Sequence, residues 1–214
     1  MTIANADQSQ LVIIDVQTKL CAVMAEADMA LRSAQLQGPS QWFIYRVGEL
    51  KNIKEKGSLQ WRTLLNRALV KQSFVLFFQP VVACIDREIL HHEVFAKLPN
   101  GDETMISASI FIPMANKCGL TRAIDFSILD KVCQKLTRES DPKDYSINLS
   151  IDTLLFASFA EDFSQLMSDY LAITKYLIIE ISEYQLVQHI NKLIPIFSLL
   201  ETLNIRLVVD KVGQ

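Results

Sequence analysis

The amino-acid sequence predicts an α/β protein organised around a parallel sheet or barrel. From residue 74 onward, short apolar strands alternate with helical stretches, and this alternation is typical of strand–helix–strand units. The helical stretches carry apolar residues at spacings of three and four, as one buried helix face requires. Half of the 214 residues are hydrophobic, so the chain can bury a substantial core.

The strands and helices of this region follow each other with short connections. The predicted strands are Phe74–Gln79, Glu93–Leu98, Tyr145–Ser150, Leu177–Ser182 and Arg206–Asp210, and the predicted helices are Ile110–Cys118, Ile124–Leu136, Ile151–Tyr170 and Tyr184–Leu203. A turn at Asn100-Gly101-Asp102 is predicted between the second strand and the first helix.

A different arrangement precedes this region. We predict a strand at Leu11–Asp15, a helix at Cys21–Gln37 and a second strand at Trp42–Val47. The charged stretch Glu49–Lys56 is the predicted boundary between the two regions. A further helix is predicted to follow Ser58, a residue type that caps helix N-termini. Its apolar stripe has helical spacing and comprises Trp61, Leu64, Leu65, Ala68 and Leu69.

Composition excludes several functional classes. The formal net charge of -3 provides no basic surface for the phosphate backbone, so direct, tight nucleic-acid binding is not expected. No run reaches the roughly 18 apolar residues of a membrane span. Met1–Gln10 lacks the regions of a signal peptide, so we predict a cytoplasmic domain. The four cysteines are too far apart for a zinc or redox motif and are predicted to be free thiols: Cys21, Cys84, Cys118 and Cys133.

Polar residues lie in or at the ends of the predicted strands: Gln79, Glu93, Asn148, Glu180 and Asp210. In a β/α barrel, the carboxyl ends of the strands converge on one site. Carboxylates and a carboxamide would form an oxygen-rich site for Mg²⁺, Ca²⁺ or Mn²⁺. Each residue alone is also compatible with a helix cap or a surface ion pair.

Three histidines invite a metal interpretation: His91, His92 and His189. Neighbouring residues of a strand point to opposite faces, so His91 and His92 cannot both enter one site. We predict solvent-exposed or core histidines instead.

Six motifs occur in order along the chain: FFQPVV at Phe77–Val82, HHEVFAKL at His91–Leu98, FIPMANKCGL at Phe111–Leu120, INLS at Ile147–Ser150, LIIEISE at Leu177–Glu183 and LVVDKVG at Leu207–Gly213. Their sequences and spacing resemble those of EAL domains, a bacterial cyclic di-GMP phosphodiesterase family. Upstream, Ala25–Gly38 and the strand that follows resemble the end of a GGDEF domain.

The resemblance implies an incomplete EAL-type (β/α) barrel preceded by the C-terminal tail of a GGDEF domain and a linker helix. We assign residues 1–48 to the GGDEF-like remnant, 49–72 to the linker helix and 73–214 to the N-terminal part of the barrel. About five of the eight strands of such a barrel are then present.

In active EAL domains, two metal ions hydrolyse the phosphodiester. The resemblance implies that the metal ligands correspond to Glu93, Asn148, Glu180 and Asp210, and that Gln79 lies beside the dinucleotide. Lys97 replaces the arginine that usually holds a ligand phosphate; a solvated lysine at a strand end is the alternative.

The sequence departs from the family at its chemistry. The E-A-L motif is Glu93-Val94-Phe95, and Lys211 replaces the second aspartate of the D-D-F-G turn. A unit charge pair at about 4 Å is worth about 4 kcal/mol at an effective dielectric of 20, so a lysine strongly repels a divalent ion there. We expect no cofactor, or at most one Mg²⁺ or Mn²⁺ at a vestigial site. Phe95 is interpreted as a core substitution.

These departures resemble the degenerate GGDEF–EAL regulators of the CsrD/MshH group. The resemblance implies a catalytically inactive module that acts through protein contacts, in control of small-RNA turnover or of pilus and biofilm formation. A cyclic di-GMP receptor without hydrolysis and an active phosphodiesterase are the alternatives. The resemblance also implies a parent anchored in the inner membrane, and it leaves weak cyclic di-GMP binding and a homodimer open.

Overall fold

A computed structural model describes residues 2–5, 10–13, 42–45, 58–101 and 104–212, the first three ranges as backbone strands only. Those three strands are β1 (Thr2–Asn5), β2 (Gln10–Ile13) and β3 (Trp42–Tyr45). They form an antiparallel sheet in the order β2-β1-β3. Strands β2 and β3 match the two strands predicted here, and β1 was not predicted. The predicted helix Cys21–Gln37 lies outside the described residues.

A second sheet with its helices follows. Its strands are β4 (Val75–Val82), β5 (Ile89–Pro99), β6 (Met105–Ser107), β7 (Tyr145–Asn148), β8 (Leu177–Ser182) and β9 (Arg206–Asp210). The α-helices are α1 (Ser58–Lys71), α2 (Ala108–Cys118), α3 (Thr121–Arg138), α4 (Ile151–Leu154), α5 (Phe159–Ser168) and α6 (Glu183–Thr202), with one 3₁₀ turn at Thr174–Tyr176.

The strand order is β4-β5-β7-β8-β9, and β6 pairs with β5. Strands β5, β7, β8 and β9 run parallel, which agrees with the predicted α/β class. Strand β4, in contrast, runs antiparallel to β5. The six residues between them are too few for the crossover helix that a parallel pair needs. Within the described residues, the path from β4 to β9 does not close into a barrel.

Two local predictions were wrong. The predicted helix Ile151–Tyr170 is divided into α4 and α5, because the chain turns at residues 155–158 before Phe159 and Phe163 enter the core. The turn at Asn100-Gly101 joins two strands, β5 and β6, rather than a strand and a helix. Gly101 adopts a positive φ of 95° there, which glycine tolerates without strain.

Helix α1 packs onto the helices of the second sheet through the predicted stripe. Trp61, Leu65 and Ala68 of α1 are buried, and α1 contacts α2 and α3. Lys131 of α3 closes the junction, since its Nζ donates to the carbonyl oxygens of Gln72 and Phe74, both at 2.6 Å. The stripe predicted from the sequence is therefore the face that attaches α1.

Candidate functional site

Asn148 joins two acidic residues from neighbouring strands. At the end of β7, its Nδ2 donates to Glu93 Oε1 at 3.0 Å and to Glu180 Oε2 at 2.9 Å. In the β7–β8 register, Asn148 lies directly beside Glu180. Glu93 pairs with Ser146, which precedes Asn148 by two residues and lies on the same face of β7. The structure thus brings together three of the four predicted metal ligands.

His91 also enters this cluster, which the sequence did not predict. Its Nε2 lies 3.7 Å from Glu180 Oε1, and its side chain is only 11 % exposed. His92 points to the opposite face, where its ring lies 5.9 Å from that of Tyr145. The two histidines therefore face apart as predicted, and His91 is nearly buried beside Glu180. The usable signal was the strand period of two, which places His91 and Glu93 on one face.

Asp210 and Lys211 end β9 next to the cluster. Lys211 has a positive φ of 57°, and its backbone N–H donates to Asp210 Oδ1 at 2.7 Å. Burial raises the pKa of Glu93, and the neighbouring Glu180 raises it further. The hydrogen bond from Asn148 and the charge of Lys211 lower the pKa of Glu93, whereas Asp210 raises it. The charges of Asp210 and Lys211 therefore act on the pKa of Glu93 in opposite directions.

The two predicted ligand-binding residues, Gln79 and Lys97, lie on the same face of the β4–β5 pair as Glu93. Gln79 is exposed and lies directly across from Glu93. The Nζ of Lys97 lies 4.3 Å from the centre of the Phe77 ring, a cation–π contact. Phe95 lies across from Phe77 and is 37 % exposed. The interpretation of Phe95 as a core residue was wrong, because strand alternation buries its neighbours Val94 and Ala96 instead.

A buried carboxylate supports the turn that follows Asn148. Oδ2 of Asp125 accepts hydrogen bonds from Ser150 N at 3.1 Å, Ser150 Oγ at 2.8 Å and Thr153 Oγ1 at 2.6 Å. Burial raises the pKa of Asp125, and the hydrogen bonds from Thr153 and Ser150 oppose that shift. Sequence reasoning missed this residue, because an aspartate within a helix gives no signal of a distant partner.

The donor groups of the cluster are not arranged as metal ligands. In residues 58–101 and 104–212, no three histidine, cysteine, aspartate or glutamate side chains are grouped as a metal site would require. Both amide protons of Asn148 point at the carboxylates, whereas an amide that binds a metal presents its oxygen. The donor set as arranged here does not fit a two-metal centre. Among the described helices, none is long and apolar enough to cross a membrane.

Comparison with known proteins agrees with this architecture. The family model "EAL domain" matches residues 62–214. The RNase E specificity factor CsrD of Escherichia coli is 29% identical over 192 residues, covering 89% of this chain and 29% of CsrD. The cyclic di-GMP phosphodiesterase PdeF of the same organism is 26% identical over 166 residues, covering 76% of this chain and 22% of PdeF. The chain thus spans less than a third of either relative.

Solved structures show the same fold at low identity. The S helix-GGDEF-EAL portion of Vibrio cholerae LapD, bound to c-di-GMP, has a TM-score of 0.71 and 21% identity, covering 94% of this chain and 48% of that one. The FimX EAL domain from Pseudomonas aeruginosa, also bound to c-di-GMP, has a TM-score of 0.63 and 22% identity, covering 72% of this chain and 62% of that one.

The mostly parallel sheet with its helices defines an α/β domain, as predicted, and its structural neighbours are EAL domains. Within that class, the chain belongs to the EAL domain family. CsrD among its relatives agrees with the predicted resemblance to degenerate GGDEF–EAL regulators. The residue boundaries 1–48, 49–72 and 73–214 stay predictions.

Proposed function

We propose that this chain is a catalytically inactive EAL-like regulatory module of a cyclic di-GMP signalling protein. The observation that carries the proposal is the lysine at position 211, directly after Asp210 at the end of β9. A cation at this position opposes the second metal ion that two-metal phosphodiester hydrolysis needs. Asn148 supports the same conclusion, because it bridges Glu93 and Glu180 through its amide protons.

The regulatory role is proposed to operate through protein contacts. Its support is the similarity to CsrD, whose name describes an RNase E specificity factor. By analogy, control of small-RNA turnover is the first candidate process and control of pilus or biofilm formation the second. The parent is proposed to be anchored in the inner membrane, with this domain in the cytoplasm and a homodimer as its candidate assembly.

A turnover assay with cyclic di-GMP tests the inactivity. We expect no hydrolysis in Mg²⁺ or in Mn²⁺ by this chain or by its full-length parent, with an intact EAL phosphodiesterase assayed alongside as the positive control. Hydrolysis by the parent that is abolished by Glu93→Ala would overturn the proposal. It would establish the remaining alternative, an active phosphodiesterase with a rebuilt metal site.

A receptor that binds cyclic di-GMP without cutting it is the second candidate function. The observation that favours it is the exposed face of β4 and β5, where Gln79 lies across from Glu93 and Lys97 lies over Phe77. A cation next to exposed aromatic rings suits a phosphate attached to a stacking base. Calorimetry separates the two candidates: binding that Lys97→Ala weakens identifies a receptor, whereas no binding supports regulation by protein contacts alone.

A further inference from the structure

The Glu93–Asn148–Glu180 cluster contains protein groups at the positions where cations would be expected. Asn148 Nδ2 lies between Glu93 Oε1 and Glu180 Oε2, within 3.0 Å of each. A bridging cation between these two carboxylates would need the same space. With both N–H groups donated, the amide nitrogen has no further hydrogen-bonding capacity.

His91 lies beside the second oxygen of Glu180. Its Nε2 is at ion-pair distance from Glu180 Oε1, and both side chains are nearly buried. The two oxygens of Glu180 therefore face different protein groups, Oε2 the amide of Asn148 and Oε1 the ring of His91.

Lys211 follows Asp210 at the end of β9, and its charge lowers the pKa of Glu93. Its neighbour Asp210 accepts the Lys211 backbone N–H through Oδ1, so this oxygen is also engaged. The hydroxyl of Ser146, on the same face of β7 as Asn148, is buried and makes no hydrogen bond within the described residues. The hydroxyl of Ser146 is neutral, so it does not change the net charge of the cluster.

From this geometry we infer that His91, Asn148 and Lys211 take the place of metal ions in this cluster. The cluster then acts as a metal-independent clasp that joins β5, β7 and β8. His91 is a positioning residue in this arrangement, acting on Glu180. The inference rests on the proposed function, but it concerns metal and stability rather than nucleotide, so it is tested without cyclic di-GMP.

Thermal melting in EDTA and in excess Mn²⁺ tests the clasp. For the unmodified protein, we expect the same Tm in both conditions. The double variant His91→Ala/Lys211→Met leaves Asn148 in place but removes the ring beside Glu180 and the charge of Lys211, so its Tm in EDTA should fall by about 2–4 °C. Mn²⁺ should then restore part of that loss, because the ion can occupy the space that the His91 ring vacates beside Glu180 Oε1.

His92→Ala is the matched control. It removes the adjacent histidine of the same strand, which faces Tyr145 on the opposite side, so any loss of Tm should be the same in EDTA and in Mn²⁺. Electron paramagnetic resonance of Mn²⁺ provides a second measurement if the double variant does not fold, with the unmodified protein and His91→Ala compared.

Each outcome supports or overturns the inference. Stabilisation of the unmodified protein by Mn²⁺, or bound Mn²⁺ in its spectrum, overturns it. A double variant that melts as the unmodified protein does in EDTA, or that loses Tm without rescue by Mn²⁺, also overturns it. None of these readouts depends on turnover, so the clasp can fail while the proposed inactivity stands, and the reverse.

Discussion

Oδ2 of Asp125 accepts hydrogen bonds from both the backbone N–H and the hydroxyl of Ser150, at 3.1 and 2.8 Å. Ser150 follows Asn148 by two residues and caps α4 with its side chain. A carboxylate on α3 therefore fixes the turn that begins at the end of β7, and with it the strand end that carries Asn148.

The first prediction concerns this carboxylate. Asp125→Ala leaves buried donors of Ser150 and Thr153 without an acceptor, which costs about 2–3 kcal/mol of unfolding free energy. Urea unfolding followed by circular dichroism measures the change. Asp169→Ala, at an exposed aspartate, is the control and should lie within about 0.5 kcal/mol of the unmodified protein. Equal stability of the two variants would contradict the role of Asp125.

The second prediction concerns the attachment of α1. Trp61 is 3% exposed and belongs to the hydrophobic core, so Trp61→Ala should leave a cavity there and destabilise the protein by about 3–5 kcal/mol. Leu59→Ala on the same helix is the control, since Leu59 is 78% exposed. Denaturant unfolding of both variants provides the comparison. A small effect of Trp61→Ala would mean that α1 does not pack on the domain.

The third prediction concerns Lys211. Lys211→Asp removes a cation and adds a carboxylate, and we expect it to raise Mn²⁺ affinity at least about tenfold, which corresponds to 1.4 kcal/mol. Lys211→Met separates the two effects, because it removes the charge without adding a ligand, and it should give the smaller gain. Isothermal titration calorimetry measures both. Unchanged affinity in Lys211→Asp would show that Lys211 does not face the cluster.

The fourth prediction concerns the buried thiol. Burial raises the pKa of Cys133 to about 12 from an ordinary value of 9.0. The folded state therefore binds the Cys133 thiol proton more tightly than the unfolded state does. The stability that the protonated thiol contributes is present below pH 9 and is lost as the pH rises toward 12.

At neutral pH, a thiol reagent should modify exposed Cys84 and leave buried Cys133 unmodified. Mass spectrometry of peptides from the labelled native protein checks this, and labelling of Cys133 at the rate of Cys84 would contradict it.

The fifth prediction concerns the open face of the sheet. Phe77 and Phe95 are both more than a third exposed on one face of β4 and β5. Strand β4 ends the sheet within the described residues, and an exposed apolar surface beside such an edge promotes association. We expect the protein of residues 1–214 to self-associate in light scattering, and Phe95→Lys to reduce the association. A monodisperse monomer with a cooperative melt would contradict this prediction.

The sequence by itself determined the elements that rest on local pattern. Helical spacing identified α1 and its buried stripe, and apolar runs located β5, β7, β8 and β9, because periodicity is written directly in the order of residues. The same patterns placed Glu93, Asn148 and Glu180 at neighbouring strand positions. The positions of Asp210 and Lys211 at the end of β9 were also predictable from the sequence, since an apolar run leads directly up to them.

Only the tertiary structure decided how the side chains of the site are used. Strand direction at β4, the orientation of the Asn148 amide and the approach of His91 to Glu180 all depend on contacts between segments far apart in the sequence. The same holds for Asp125 and Ser150, 25 residues apart. Such contacts are set by packing and hydrogen bonding across the fold, and no local propensity or spacing encodes them.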